Sequence, residues 1–325
     1  MSESLSRNFS HSSFVFDGFP AVRSLNQVRL LALPLSVCYL AALLGNCVLG
    51  HVIRSSRTLH GPMYVLIASL CAVDVLAVTA IVPNTLLGLL LDLDRISLAS
   101  CLTQMFVTHF LSSVESTLLL AMALDRYVAV CRPLRYAELV GRSAWVKLLL
   151  VIAVRSGSVM ATLVSLAGSL RFCGSNTIRH CYCDHMALVS LACGFTERSR
   201  AAGVAVIVCF VGVDIPLICF SYVRILSVVL RSAGDRWKAF HTCGTHLMVM
   251  MSFYLIGSVT FLSHNLNISI PTDANSFMGL MYILLPATVN PVIYGVRTKE
   301  IRNGFYRLFK LRAKKTVKVS PAGES

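Results

Sequence analysis

The sequence predicts an all-α membrane protein, a bundle of seven transmembrane helices followed by a short amphipathic helix. Three observations predict it. Of its 325 residues 56% are hydrophobic and only 14% charged, against about 45–50% and about 25% in soluble domains. That much apolar surface exceeds what one soluble core of this length buries, which excludes a cytosolic enzyme, and the same composition excludes a disordered chain. Seven stretches are long enough for the ~20 apolar residues that cross a bilayer core. Basic residues collect on one side of those stretches.

The stretches are Leu30–Ile53, Met63–Leu91, Cys101–Leu124, Ala144–Leu170, Ala201–Val223, Ala239–Leu262 and Ser276–Val296. The sixth and seventh are diluted by His241, His246, Asn290 and two prolines. Loops are short except Arg171–Arg200, which holds four of the twelve cysteines. No repeat or low-complexity tract divides the chain. The expected organisation is an extracellular tail over 1–28, a helical domain over 29–296 and a cytoplasmic basic tail over 297–325. The first 28 residues contain no apolar h-region, so the first span is expected to act as its own insertion signal.

With the N-terminus outside, 20 of the 29 Lys and Arg fall on the inner side, nine of them from Arg297 to Lys318, and eight fall outside. This supports an extracellular N-terminus and a cytoplasmic C-terminus. The net charge of +14 then belongs to a face that meets anionic lipid and an intracellular partner, not to a nucleic-acid surface. Asn8-Phe9-Ser10 and Asn267-Ile268-Ser269 are glycosylation sequons on the predicted outer side, and Asn8 is the favoured acceptor.

Ionisable groups inside a bilayer cost about 2.5–3.5 kcal/mol each on insertion scales, so they face the bundle interior and have a task. Asp74, Glu115 and Asp214 are such carboxylates; Asn46 and Asn290 are buried polar candidates, and Arg155 lies within the fourth span. Two carboxylates at similar depth, Asp74 and Glu115, call for a cation or a shared proton. Glu115 and Arg126, eleven residues apart, share one face of the third helix. Asp125 can hold the Arg126 guanidinium, and a basic residue snorkelling to the interface is the plainer reading. Pro291 frees a backbone carbonyl in the seventh span, which Asn290 can re-satisfy.

In the long loop Cys173, Cys183 and Cys193 recur at ten-residue spacing, with Cys181 beside Cys183, and Cys101 opens the third span. An oxidising exterior favours disulfides there, one of them tying the loop to the third helix. A zinc site at Cys181–His185 lacks a second ligand pair at the usual spacing. The span cysteines Cys38, Cys47, Cys71, Cys209 and Cys219 read as small apolar packing residues.

Asn46, Asp74, Asp125-Arg126-Tyr127 and Asn290-Pro291-Val292-Ile293-Tyr294 together resemble rhodopsin-like G-protein-coupled receptors. Leu59-His60-Gly61-Pro62-Met63-Tyr64, the run from Met122 to Tyr136, Ser221-Tyr222 and the run from Lys238 to His246 are similar to the olfactory (odorant) receptors. The loop from His180 to Ala187 and the segment from Gly295 to Arg302 resemble the class I, fish-like subgroup. Gly61, Leu124 and His241 depart from that family's usual residues, and the seventh span has no Lys to bear retinal.

The resemblance implies a non-enzymatic receptor. It would bind a small-molecule odorant in the outer half of the bundle and activate a stimulatory olfactory-type heterotrimeric G protein, raising cyclic AMP. Asp125, Arg126, Tyr127, Asn290, Pro291 and Tyr294 match the switch positions. Asp74 and Glu115 match a pair that can hold sodium, and no other cofactor is implied. Cys101 is expected to join Cys183, and Cys173 to join Cys193. His109, Ser112, Ser113 and Ser116 share one side of the third span; Tyr254, Ser258 and Phe261 stand at i, i+4, i+7 in the sixth. These are the candidate ligand contacts, with helix packing the plainer reading of each. Arg171 or His109 could anchor a ligand carboxylate. Two alternatives are a receptor of the same fold acting outside the olfactory epithelium, and a transporter using the three carboxylates. The second normally shows internal repeats, which are lacking here.

Overall fold

The computed structural model describes residues 10–231, 236–265 and 270–307, and side chains for all of these except 236–242 and 260–265. Seven long helices form the bundle: α1 Leu25–Ser55, α2 Pro62–Leu91, α3 Leu98–Cys131, α4 Arg142–Gly168, α5 Glu197–Arg231, α6 Arg236–Asn265 and α7 Thr272–Arg297. An eighth helix, α8, covers 299–307 and turns Ile301 and Gly304 inward while Arg302 and Arg307 stay exposed. This is the amphipathic helix expected after the seventh span.

Every long helix except α4, which stops at Gly168 short of the expected Leu170, outruns its apolar stretch. The 34 residues of α3 reach about 51 Å at 1.5 Å per residue, well beyond a ~30 Å hydrocarbon core. Among the described residues six of the helices are apolar enough over a full span to cross a membrane, and the described side chains of α6, Cys243–Val259, form a further apolar stretch. On α1 the exposed residues Leu30, Leu33, Val37, Leu40 and Leu44 form a stripe at helical spacing, as expected of a lipid-facing surface. α3, by contrast, is largely buried at the centre of the bundle.

Local chemistry sets the helix ends. Ser24 and Gln27 form a capping box at α1, each side chain bonding the other's backbone N–H. Pro62 is the first residue of α2, where its missing N–H costs nothing. Asp92, in the left-handed region at φ 54°, stops that helix. The Ser97 hydroxyl caps α3 by accepting from the Ser100 N–H at 3.1 Å.

One end of the bundle carries a small lid. Strand β1 (Ser13–Phe16) is the central strand of a three-stranded sheet, antiparallel to β2 (Arg95–Ser97) and parallel to β3 (Thr177–Ile178). The N-terminal segment expected as a plain tail is therefore structural from Ser10 onward. Phe14 is fully buried and meets Phe172 edge-on at 5.3 Å, in a cluster with Met105, Ile178 and Leu188. Two disulfides hold this lid: Cys101–Cys183 ties the loop to α3, and Cys173–Cys193 closes the loop on itself. Both pairings match the expectation.

At the opposite end α1, α2 and α7 interlock around Pro291. Gly45 lets α1 approach closely, since a Cβ there would meet the Pro291 ring at 2.9 Å. Pro291 has no N–H, so the carbonyl four residues earlier, at Ala287, loses its helical partner. The Asn46 side chain of α1 donates to that carbonyl at 2.7 Å and to Ala42 O at 2.9 Å. Asn290, expected in this role, instead donates to Asp74 Oδ2 at 3.1 Å. A side chain from the neighbouring helix reaches the freed carbonyl, which spacing within α7 alone could not reveal. Asn46→Leu should leave the Ala287 carbonyl unpaired and cost about 1–3 kcal/mol. A lowered Tm of the purified protein in detergent would register it; an unchanged Tm removes Asn46 from this role.

Candidate ligand pocket and switch

Beneath the lid a cavity opens between α3, α4, α5, α6 and α7. Its volume is about 90 Å³, counted as the space open to the centre of a water-sized sphere. One water needs roughly 10–15 Å³ on that measure, so the cavity suits a small organic molecule. Met160, Leu163, Phe210 and Phe253 give it an apolar wall, with a few polar groups among them, as ligand sites generally have.

The predicted contacts fall largely on this wall. His109, Ser112, Ser113, Ser116, Tyr254 and Ser258 all line the cavity. Phe261 belongs to the residues whose side chains are not described, and the sequons at Asn8 and Asn267 lie outside the described residues. Ser113 donates to the Phe110 carbonyl of its own helix at 2.7 Å, the plainer role allowed for a serine in a span. Arg171 is exposed and does not line the cavity.

The lid contributes what the sequence reading did not foresee. Cys183 is pinned to α3, and Gln104 of α3 accepts from the Cys183 N–H at 3.0 Å. The next residue, Asp184, caps the one-turn helix His185–Val189 by accepting from the Met186 and Ala187 N–H groups at 2.9 and 3.1 Å. This cap aims Tyr182, Asp184 and His185 at the cavity. Burial, reinforced by the neighbouring His109, pulls the His185 pKa down to about 4, so its ring is neutral near pH 7. Gly203 of α5 leaves room for that ring, which lies 3.4 Å from where a Cβ would stand.

Under the cavity four helices meet at one carboxylate. Asp214 of α5 is fully buried, and Arg155 of α4 holds it through both guanidinium nitrogens at 2.8 and 3.3 Å. Arg155 also donates to the Cys209 carbonyl and lies 4.2 Å from the centre of the Phe210 ring. Ser116 of α3 donates to Asp214 at 2.5 Å. A carboxylate only accepts, so the single Ser116 proton is committed to it. Tyr254 of α6, 3.0 Å from Ser116, must then be the donor of that pair. Arg155 sits in a π-helical stretch, Ile152–Gly157, an irregularity often found at functional sites. Asp214 was singled out from the sequence and Arg155 noticed, but not their pairing. The available signal was that Arg155 is the one cation deep within spans that carry three carboxylates, Lys147 lying within a turn of its span's end.

Toward the other end lie the switch candidates. Asp125 contacts Arg126 at 3.2 Å and accepts from the Tyr136 hydroxyl at 2.7 Å, as the local Asp–Arg reading expects. Tyr127 meets Phe220 of α5 at 6.3 Å between ring centres. Tyr294 of α7 is buried, its ring 5.7 Å from that of His246 on α6 and its hydroxyl 4.0 Å from the Met122 sulfur on α3. Glu115 Oε1, Asn46 Oδ1 and Asn290 Oδ1 are buried acceptors without a donor among the described residues. That surplus of oxygens fits a monovalent cation or a shared proton.

Comparison with known proteins agrees with this geometry. The family model described as olfactory receptor matches residues 35–312. Olfactory receptor 51E2 of Homo sapiens is 37% identical over 310 residues, covering 95% of this chain and 96% of the relative. Its Mus musculus counterpart is 37% identical over 312 residues, covering 95% and 97%. Olfactory receptor 52K2 of Homo sapiens is 36% identical over 301 residues, covering 92% and 95%. A seven-helix bundle with a lidded cavity, matched over nearly its whole length to receptors of this kind, is a multi-pass receptor of the plasma membrane, and this chain belongs to the olfactory receptor family.

Proposed function

We propose that this odorant receptor binds its ligand in the cavity beneath the lid and activates a stimulatory olfactory-type heterotrimeric G protein, raising cyclic AMP. The N-terminus is extracellular and the C-terminus cytoplasmic, in line with the basic residues of the tail and with the disulfides at the lid end. The observation that carries the reading is the four-helix junction between the cavity and the Arg126 end. Tyr254 lines the cavity and hydrogen-bonds Ser116, which is bound in turn to Asp214. A ligand that competes for the Tyr254 hydroxyl biases α6 between two packings, and differential affinity for them sets the shift. Movement of α6 carries His246 away from Tyr294 and uncovers Arg126 for the G protein. The Asp74–Glu115 pair holds a sodium ion or a shared proton in the resting packing.

An odorant panel read out as cyclic AMP tests the proposal. Arg126→Ala should abolish the evoked signal while surface labelling of the receptor persists. A signal of unchanged size would remove Arg126 from the switch.

A further inference from the structure

Taking the cavity as the odorant site, we infer that it is built for a neutral hydroxyl compound, an alcohol held between the rings of His109 and His185, and that it rejects carboxylates.

The first reason is a count of cations. No Lys or Arg occurs from Leu98 to Asp125 or from Ala239 to Val296, so α3 offers none along the cavity and neither do α6 and α7. Arg155, packed against the lining residue Phe210, is spent. Asp214 takes two of its nitrogens, the Cys209 carbonyl takes a further bond, and the Phe210 ring lies over it. The wall carries instead the carboxylate of Asp184. An acidic ligand would thus lose its water beside a like charge, with no Lys or Arg on α3, α6 or α7 along the cavity to pair with it, an arrangement that proteins avoid.

The second reason is a pair of unused nitrogens. His109 Nε2 and His185 Nε2 both belong to the cavity wall, both are buried, and neither has a partner among the described residues. The His185 side chain lies in a residue only 4% exposed. A neutral imidazole presents one N–H donor and one bare nitrogen acceptor. An alcohol oxygen accepts from one ring while its proton goes to the other, so one hydroxyl completes both. With one ring presenting Nε2–H and the other a bare Nε2, an ether oxygen completes only the first, and a carboxylate has no proton to give the second. A primary ammonium is disfavoured for a further reason. Asp184 already stabilises its charge on two backbone N–H groups, and the remaining wall is too apolar to solvate a cation.

The test uses the full-length receptor purified in detergent and four matched series: straight-chain 1-alkanols of about four to eight carbons, their methyl ether isomers, the carboxylates and the amines. Binding is read as ligand-dependent rise in Tm, and cyclic AMP is read in parallel in cells. Alkanols should bind about fivefold to tenfold tighter than their ether isomers, the difference expected of one hydrogen bond. His109→Phe and His185→Phe should each erase that advantage. Where a variant fails to fold, the alkanol-to-ether ratio of the unaltered receptor decides alone. Ethers equal to alkanols, tighter carboxylates or amines, or no binding in any series would overturn the inference. Alkanol binding with silent cyclic AMP would overturn only the coupling proposed above.

Discussion

Arg155→Met is expected to destabilise the receptor by about 3–5 kcal/mol, the size seen when one member of a buried ion pair is removed. Asp214, fully buried, would then be left without its cation, and of its described partners only Ser116 would remain. Surface labelling should fall to a small fraction of the unaltered level, and the Tm in detergent should drop with it. The double variant Arg155→Met with Asp214→Leu should recover most of that loss, because replacing both charges by apolar groups of similar size removes the desolvation cost together with the attraction. The recovered protein should nonetheless respond poorly to odorants, since Ser116 and Tyr254 no longer hang from a fixed acceptor. A double variant as unstable as the single would show that the pair contributes packing rather than charge compensation. Full recovery of signalling would remove the junction from the proposed mechanism.

Cys101→Ser should be the second large effect. The Cys101–Cys183 bond spans 82 residues, whereas Cys173–Cys193 spans 20. Loss of a disulfide costs about 2–5 kcal/mol, and on the loop-entropy account the longer closure contributes roughly 1 kcal/mol more than the shorter. The functional contrast should be sharper than the energetic one. His185 follows Cys183 by two residues, so releasing Cys183 from α3 also releases a wall of the cavity. Ligand-dependent Tm shifts should vanish in Cys101→Ser and survive, weakened, in Cys173→Ser. Greater damage from Cys173→Ser would reverse this ranking.

Much of this was legible in the sequence because a membrane constrains it heavily. Bilayer thickness makes each apolar stretch a candidate helix, and the same rule makes each intramembrane charge conspicuous. Asp214 stands out that way, whereas His109 and Tyr254 come from helical spacing on the spans that the receptor resemblance assigns to the pocket, and both disulfides follow the same resemblance. What escaped were relations between segments far apart in the chain. Arg155 and Asp214 are 59 residues apart and Asn46 lies 241 from Ala287, distances at which helical periodicity carries no information. The helix ends also escaped, since α5 runs on to Arg231 with polar residues the bilayer rule does not count. The lid was the largest omission. β1 has four residues and β3 two, too short for an alternating pattern to stand out.

That lid has a consequence for how the protein is made. β1 is the centre of its sheet although it is translated first; its antiparallel neighbour arrives with residue 95 and its parallel neighbour only with residue 177. Through the first half of synthesis β1 therefore lacks its parallel partner and Phe14 its Phe172 contact, and the segment waits with an unsatisfied apolar edge in the compartment where it emerges. The cavity roof is consequently assembled after at least four helices have been inserted, by joining pieces of low local content and long separation, the slow kind of closure. A folding assistant that shields residues 10–17 during that interval would raise the yield of receptor without touching the ligand site at all.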